Sequence, residues 1–269
     1  MKGAMDMDII KKDIDGGKAF DWGRTSANYA KYRDIYPQEF YEALVSRGLC
    51  VKGQTVLDLG TGTGVIPRNM YSFGAKWTGS DISENQIEQA KLLAEKGGMD
   101  IDFFASPAED ISFPSSTFDV VTACQCFWYF DYKKLVPKLY DMLKKDGRLA
   151  VMQMAWLPFD DEIARQSEEL VLKYNPSWTG GGWTRRPVFI DDEVLKSFEI
   201  DERIGFDVNV RFTRESWNGR MKACRGVEAS LSREDTEKWE REHIALLNSI
   251  APEEFDVLHY VAMAILKKK

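Results

Sequence analysis

Residues 55–64 read TVLDLGTGTG, a short apolar run that leads directly into three glycines spaced two apart. The apolar residues predict a buried β-strand over Thr55–Leu59. Gly60, Gly62 and Gly64 let the backbone turn sharply and approach a ligand closely, where any Cβ atom would collide. A helix is predicted to begin at Gly64, so its free N–H groups would face the same point. This unit indicates an α/β domain that binds a ligand at the end of its first strand.

Beyond the turn, strand and helix patterns alternate in the way that is typical of a parallel α/β sheet. Ser83 with Gln86 predicts the start of one helix. Glycines are predicted to end three helices, at Gly74, Gly97 and Gly147. The predicted elements are a helix over 64–73 with Pro67 in its first turn, a strand over 76–80, a helix over 83–96, strands over 101–105 and 118–124, a helix around Leu135–Leu143, and a strand over 149–154.

The alternation breaks after residue 156. Residues 206–212 alternate apolar and polar side chains, which predicts a half-buried strand in the antiparallel part of the sheet. We therefore predict a Rossmann-like α/β fold with a seven-stranded, mostly parallel sheet, helices on both faces and a helical cap insertion. The predicted divisions are an N-terminal lid over 1–35, a core over 36–155, a cap over 156–250 from which strand 206–212 returns to the sheet, and a final core strand within 251–269.

The composition argues against several classes of partner. The chain has 269 residues, of which 44% are hydrophobic, and a formal net charge of −7 without a basic stripe, so a nucleic-acid partner is not expected. The sequence contains no apolar run of about 18 residues, so no membrane span is predicted. The first residues lack the apolar centre of a signal peptide. Cys124 and Cys126 have no second pair, so we expect no metal site and reduced cysteines, as in the cytoplasm.

Two cofactor classes compete for the glycine turn. A dinucleotide turn of the form G-x-G-x-x-G would need glycine at position 65, where this chain has Val65. Asp58 would repel pyrophosphate oxygens but could hold an ammonium group. Asp81 could accept both hydroxyls of a ribose, or could simply be an acid at the N-terminus of the helix that follows. The amino-acid end of S-adenosylmethionine (SAM) carries an ammonium and no phosphate, so the turn favours SAM over NAD.

The segments VLDLGTGTG, GSDIS, SPAEDISFPSSTFDVV, CQCFWYFD and LKKDGRLAV together resemble the motifs of class I SAM-dependent methyltransferases. The similarity is to methyltransferase type 11, the ubiquinone/menaquinone-type or trans-aconitate-type enzymes that act on small molecules. ANYAKYRDIYP resembles the N-terminal lid of that group. The resemblance implies a cofactor site formed by Tyr29, Arg33, Asp58, Gly60, Thr61, Gly62, Gly64, Asp81, Ile82, Ala108, Glu109 and Gln125. Tyr29 and Arg33 would close on the methionine carboxylate.

Methyl transfer from a sulfonium is an in-line displacement that depends mainly on alignment, so no catalytic triad is required. His243 is the candidate base, although its spacing with Trp239, Leu246 and Ile250 favours a packed side chain. Many relatives have His and Trp where this chain has Trp128 and Tyr129. The predicted acceptor pocket lies under the cap and contains Trp128, Tyr129, Trp183, Arg220 and His243. An NAD-linked oxidoreductase and a catalytically silent SAM-binding or ligand-binding module are the alternatives; the oligomeric state and the acceptor stay open.

Overall fold

A computed structural model describes residues 14–21, 31–32 and 34–269 of the chain. Its seven strands form one sheet in the order β3-β2-β1-β4-β5-β7-β6. The strands are β1 (Thr55–Leu59), β2 (Lys76–Asp81), β3 (Asp102–Ala105), β4 (Phe118–Cys124), β5 (Leu143–Trp156), β6 (Phe198–Thr213) and β7 (Glu254–Lys268). The helices are α1 (Gln38–Val45), α2 (Val65–Met70), α3 (Glu84–Lys96), α4 (Tyr132–Met142), α5 (Glu162–Tyr174), α6 (Asp192–Leu195), α7 (Arg214–Lys222) and α8 (Arg233–Ile250).

Strand β1 lies at the point where the strand order of the sheet reverses. It pairs in parallel with β2 on one side and with β4 on the other, and β3 and β5 extend the parallel region outward. Val56, Leu57 and Leu59 are fully buried because both faces of a parallel sheet are covered by helices. In open α/β sheets a ligand binds beyond the carboxyl ends of the strands at such a reversal. The glycine turn follows β1 at this point.

Most of the predicted elements are confirmed, including the strands at 55–59 and 118–124. Ser83 caps α3 by accepting a hydrogen bond from the Gln86 N–H. Gly74, with a φ of 85°, ends a short 3₁₀ turn that extends α2. The prediction that Gly147 terminates a helix is wrong. Helix α4 ends at Met142, and β5 already begins at Leu143.

The reason lies in the pairing of β4 with β5. Their register shifts between Phe118 and Val120, which marks a β-bulge. A Cβ atom on Gly147 would lie 3.1 Å from the Lys144 carbonyl oxygen and 3.2 Å from that of Asp119. The glycine is therefore required for close approach of two strands and not for a helix end. The residues next to Gly147 in the sequence do not indicate that β4 lies close to it.

Strand β6 is at one edge of the sheet and is longer than predicted, at 16 residues. Its side chains alternate between buried or partly buried and exposed, as predicted for a strand with one covered face. The C-terminal half, with Val210 and Phe212, is the more buried part. Among the described residues no helix is long and apolar enough to cross a membrane.

The chain divides into two compact units. Unit 1 comprises the described residues of Met1–Ile35, together with Ala155–Arg185 and Asp207–Tyr260. Unit 2 comprises Tyr36–Met154, Arg186–Phe206 and Val261–Lys269. Residues 186–206 belong to unit 2. The division into lid, core, cap and final strand stays a prediction. The glycine turn lies in unit 2, and helices α5, α7 and α8 lie in unit 1.

Candidate functional site

The turn after β1 is built from glycines because its backbone and its packing both demand them. Gly60, Gly62 and Gly64 have φ values of 59°, 56° and 73°, in the left-handed region that glycine tolerates best. A Cβ atom on Gly60 would lie 2.7 Å from the Cys126 sulfur, and one on Gly64 would lie 2.6 Å from the Phe103 ring. Without a Cβ atom at these positions, the backbone can pass close to Cys126 and Phe103.

Asp58 is the last polar side chain of β1 and is buried, with 1% of its surface exposed. The Thr122 hydroxyl on the neighbouring strand donates to Asp58 Oδ1 at 2.6 Å. Burial raises the pKa of the Asp58 carboxyl to about 7, although the hydrogen bond from Thr122 opposes the increase. Such a carboxyl gains from a nearby positive charge, which restores its ionised form. A ligand ammonium at the turn would supply that charge.

Asp81 ends β2 and connects the glycine turn to α3. Its Oδ2 accepts a hydrogen bond from the Gly62 N–H, and its Oδ1 accepts one from the Ser83 N–H, both at 2.9 Å. Desolvation raises the pKa of the carboxyl, and these two N–H donors oppose the increase. Each carboxylate oxygen has a second lone pair, so the partly exposed Asp81 can still accept two hydroxyl hydrogens. The observed contacts agree with both roles considered for Asp81, since it orders the turn and keeps acceptor capacity.

The residues around the turn fit a polar ligand such as SAM. The Thr63 hydroxyl lies within the turn and the Ser80 hydroxyl beside it, and both are buried without a hydrogen-bond partner. Buried hydroxyls normally have partners, so these two leave hydrogen-bonding capacity for a bound group. Thr61 is buried as well, and its N–H donates to the Ser80 carbonyl at 2.9 Å, which holds the turn against β2.

The loops after β2, β3 and β4 carry the other predicted cofactor residues. Ile82 is partly exposed, and Ala108 is buried in the 3₁₀ turn Ala108–Asp110. Glu109 Oε1 accepts a hydrogen bond from the Asp131 N–H at 2.6 Å, so it connects this loop to the start of α4. Gln125 has a φ of 62°, which is uncommon for a residue with a side chain and is concentrated at functional sites. Its side-chain amide donates to the Met154 carbonyl on β5.

Trp128 and Tyr129 follow β4 in the 3₁₀ turn Phe127–Tyr129. Both are partly exposed, and their ring centroids are 5.6 Å apart with the planes at 53°. The adjacent Phe127 is buried and anchors the turn. The rings of Trp128 and Tyr129 thus lie close to the end of β4, a few residues after Gln125. This arrangement suits a flat acceptor.

The remaining acceptor-pocket predictions fall in unit 1. Arg220, on α7, is 5% exposed and its guanidinium carbon lies 4.8 Å from the centre of the Trp156 ring. Trp156 donates to Glu168 Oε1, and Glu168 Oε2 accepts the Gly182 N–H. Trp183 is next along that loop and donates to the Gly180 carbonyl at 2.9 Å. Arg220 thus contacts Trp156, and Glu168 connects Trp156 to the loop that contains Gly182 and Trp183.

His243 is fully buried on α8 and both of its ring nitrogens are engaged. Nδ1 lies 2.8 Å from Asn218 Oδ1, and Nε2 lies 3.0 Å from Ser167 Oγ. Its ring stacks on that of Trp239 at 4.5 Å, and burial lowers the pKa of His243 to about 3. These contacts favour the packed, neutral interpretation over the role of a base. Tyr29 and Arg33 lie outside the described residues, so their predicted part in the lid stays a prediction.

Thr122, which donates a hydrogen bond to Asp58, is a further site residue that was not predicted from the sequence. Thr122 is opposite Asp58 in the β1–β4 register, and 64 residues separate the two along the chain. The apolar pattern of β4 identifies the strand but not its register, so no signal in the sequence connects them. None of the four cysteines is in a disulfide bond. Within the described ranges, no three His, Cys, Asp or Glu side chains are grouped so that they could hold a metal ion.

Comparison with known proteins shows what this region is similar to. Residues 57–151 match the methyltransferase domain. A ubiquinone biosynthesis O-methyltransferase of Bradyrhizobium sp. is 30% identical over 158 residues, which cover 58% of this chain and 60% of that protein. The demethylmenaquinone methyltransferase of Thermus thermophilus is 35% identical over 101 residues, covering 36% of this chain and 46% of that protein. The chain thus spans less than two thirds of the length of either relative.

A solved structure agrees on the fold. The phosphoethanolamine N-methyltransferase 2 of Haemonchus contortus, in complex with phosphomonomethylethanolamine and S-adenosylhomocysteine, superposes with a TM-score of 0.52. The superposition has 20% identity and covers 91% of this chain and 58% of that one. At this identity the likeness concerns the fold alone. Together with the sheet order and the glycine turn, the matches show that residues 57–151 are similar to the methyltransferase domain and that the chain has the fold of class I methyltransferases.

Proposed function

We propose that the protein is a SAM-dependent methyltransferase that transfers a methyl group to a small-molecule acceptor by in-line displacement. The observation that carries the proposal is the position of Asp81, whose carboxylate bridges the glycine turn and the start of α3 and keeps lone pairs for a ligand. When bound, SAM supplies a methyl group activated by the sulfonium charge. The protein then has to bind SAM and the acceptor, align them for the displacement and exclude water.

The residues of unit 2 divide that work between them. The backbone N–H groups at the start of α2, just after the turn Gly60–Gly64, would bind the carboxylate at the methionine end. Asp58 would favour the ammonium of the same group, and Asp81 would accept the ribose hydroxyls. Ile82, Ala108 and Glu109 would contact the adenine, and Gln125 would lie toward the sulfonium. Val65, at the place of the third dinucleotide glycine, is buried in the first turn of α2 and disfavours NAD.

For the acceptor, we propose a flat small molecule placed against Trp128 and Tyr129. The relative from Bradyrhizobium is named an O-methyltransferase of ubiquinone biosynthesis, so an oxygen nucleophile is the first class to test. The acidic net charge of −7 does not suit a nucleic acid. None of the four cysteines is in a disulfide bond, which supports a cytoplasmic location. Nothing among the described residues favours the oxidoreductase or the silent module.

The test is Asp81→Ala with SAM binding measured by calorimetry. Loss of charge-assisted hydrogen bonds to the ribose should weaken binding by about 1.5–3 kcal/mol. Asp102→Ala, which removes an exposed carboxylate from the neighbouring β3, is the matched control and should leave SAM affinity unchanged. Release of S-adenosylhomocysteine with a panel of hydroxylated aromatic acceptors then tests transfer. SAM affinity that is the same in Asp81→Ala and wild type would remove Asp81 from the site.

A further inference from the structure

Asp58 carries a carboxyl group inside the parallel part of the sheet, in unit 2. It is 1% exposed, with β2 on one side of its strand and β4 on the other. The titratable groups that act on it are Asp81 at the end of β2, Cys126 after β4 and Cys50 before β1. Among the described residues, no basic side chain acts on its charge. A buried carboxylate without a cation is unfavourable, so burial favours the protonated carboxylic acid.

The hydroxyl of Thr122 opposes this preference. Thr122 is fully buried, pairs with Asp58 in the β1–β4 register and donates to Asp58 Oδ1 at 2.6 Å. A hydrogen bond to an ionised acceptor is roughly twice as strong as one between neutral groups, so this contact favours the carboxylate. Burial is the larger effect, and together they place the pKa of Asp58 at about 7. The carboxyl is therefore about half ionised near pH 7, where a nearby charge can change its state.

We propose that Thr122 is a positioning residue for SAM and that Asp58 releases a proton when SAM binds, an inference that rests on the proposed methyltransferase function. Cys126 interacts with the Asp58 charge and lies against Gly60, so this carboxyl is at the glycine turn. Thr122 holds Oδ1 against β4 and leaves Oδ2 for the ammonium group of the methionine end. That cation favours the ionised carboxyl. The proton passes from Asp58 to the buffer, the carboxylate and the ammonium form an ion pair, and no covalent bond of SAM changes.

The affinity for SAM should consequently depend on pH with two limbs. Below pH 7 the Asp58 carboxyl of the free protein is protonated, and binding has to remove that proton. The association constant should therefore fall about eightfold between pH 6.5 and pH 5.5, and about 0.9 proton should be released per SAM bound at pH 6. Above about pH 8 the α-amino group of SAM loses its own proton, so the affinity should fall again.

The experiment is calorimetry of the full chain with SAM at pH 6, in two buffers that differ in ionisation enthalpy. The difference between the two observed binding enthalpies gives the number of protons that pass to the buffer. The matched ligand is 5′-methylthioadenosine, which keeps the nucleoside and lacks the amino-acid end, so it should bind without releasing a proton. S-adenosylhomocysteine has the ammonium but no sulfonium, and it should release as much as SAM. Asp58→Asn should release none with any of the three.

Thr122→Val and Thr122→Ser form a matched pair, because valine lacks the hydroxyl that serine keeps. Loss of a hydrogen bond to the carboxylate should raise the pKa of Asp58 by about one unit. Thr122→Val should then bind SAM about eightfold more weakly than wild type at pH 6.5 but only about twofold more weakly at pH 8. Thr122→Ser should keep the wild-type dependence on pH. A merely structural role of Thr122 would weaken binding by the same factor at both pH values.

The proposal is overturned if wild type binds SAM at pH 6 without releasing a proton, or if 5′-methylthioadenosine releases as much as SAM. Both results are read on the wild-type chain, so a variant that fails to fold does not affect them. Equal pH dependence of SAM affinity in Thr122→Val and wild type would overturn the role of Thr122. Binding of SAM without proton release leaves the proposed function intact. A chain that binds no SAM at any pH refutes the proposed function, and this inference with it.

Discussion

Replacing Asp58 by Asn should make the free protein more stable at neutral pH. The Asp58 carboxyl is buried and its pKa is raised from 3.8 to about 7. In the unfolded chain the same carboxyl releases its proton near pH 4. Between these two pH values the folded state keeps a proton that the unfolded state has lost. The free energy of unfolding therefore falls as the pH rises through this window.

The size of the effect follows from the difference between the two pKa values. About three pKa units at roughly 1.4 kcal/mol each correspond to a loss of about 4 kcal/mol, complete above pH 7. Asparagine does not ionise, and its side-chain oxygen can still accept the hydrogen bond that Thr122 donates. Asp58→Asn should therefore gain stability over wild type as the pH rises from 4 to 8, by up to that amount.

The assay is urea unfolding of both proteins across this pH range, and the quantity of interest is the difference between their unfolding free energies. The two histidines have lowered pKa values and change stability in the opposite direction, but they are common to both proteins and cancel in the difference. Asp146→Asn, at an exposed position, is the matched control and should give a flat difference. A flat difference for Asp58→Asn as well would refute a raised pKa at this carboxyl.

Three further predictions concern other parts of the chain. An alanine in a helix is normally more favourable than a glycine, but Gly219→Ala should destabilise the protein by about 1–3 kcal/mol because the new Cβ atom would lie 2.3 Å from the Tyr32 ring. In urea unfolding, adding Tyr32→Ala should restore the lost stability. A single Gly219→Ala variant that is more stable than wild type would contradict the contact. As the pH falls from 6.5 to 4, the unfolding free energy of His243→Gln should decrease less than that of wild type, because the wild-type histidine has a lowered pKa and binds its proton more readily in the unfolded chain. Equal dependence of the unfolding free energy on pH in the two proteins would show that His243 titrates normally. Hydrogen exchange over residues 1–35 should slow when SAM is added if this segment is a lid, and identical exchange with and without SAM would rule that out.

The glycine turn and the two acids beside it could be located from the sequence because each is specified locally. The turn Gly60–Gly64, Asp58 before it and Asp81 at the end of the next strand are each specified by neighbours within a few residues. Alternating strand and helix patterns place them at the ends of parallel strands. Backbone requirements such as a positive φ at three glycines are visible in the residue types themselves.

Contacts between distant segments were decided by the tertiary structure. The start of β5 at Leu143 depends on a bulge against β4. The pKa of the Asp58 carboxyl depends in part on the hydrogen bond from Thr122 on the neighbouring strand β4. The cluster of Trp156, Arg220 and His259 draws on β5, α7 and β7, which are far apart in the chain. Residue types and periodicity identify these elements but not which side chains meet, because pairing register and helix packing are set by the whole fold. The sequence by itself therefore determined the class of cofactor, and only the folded chain brought these distant side chains together.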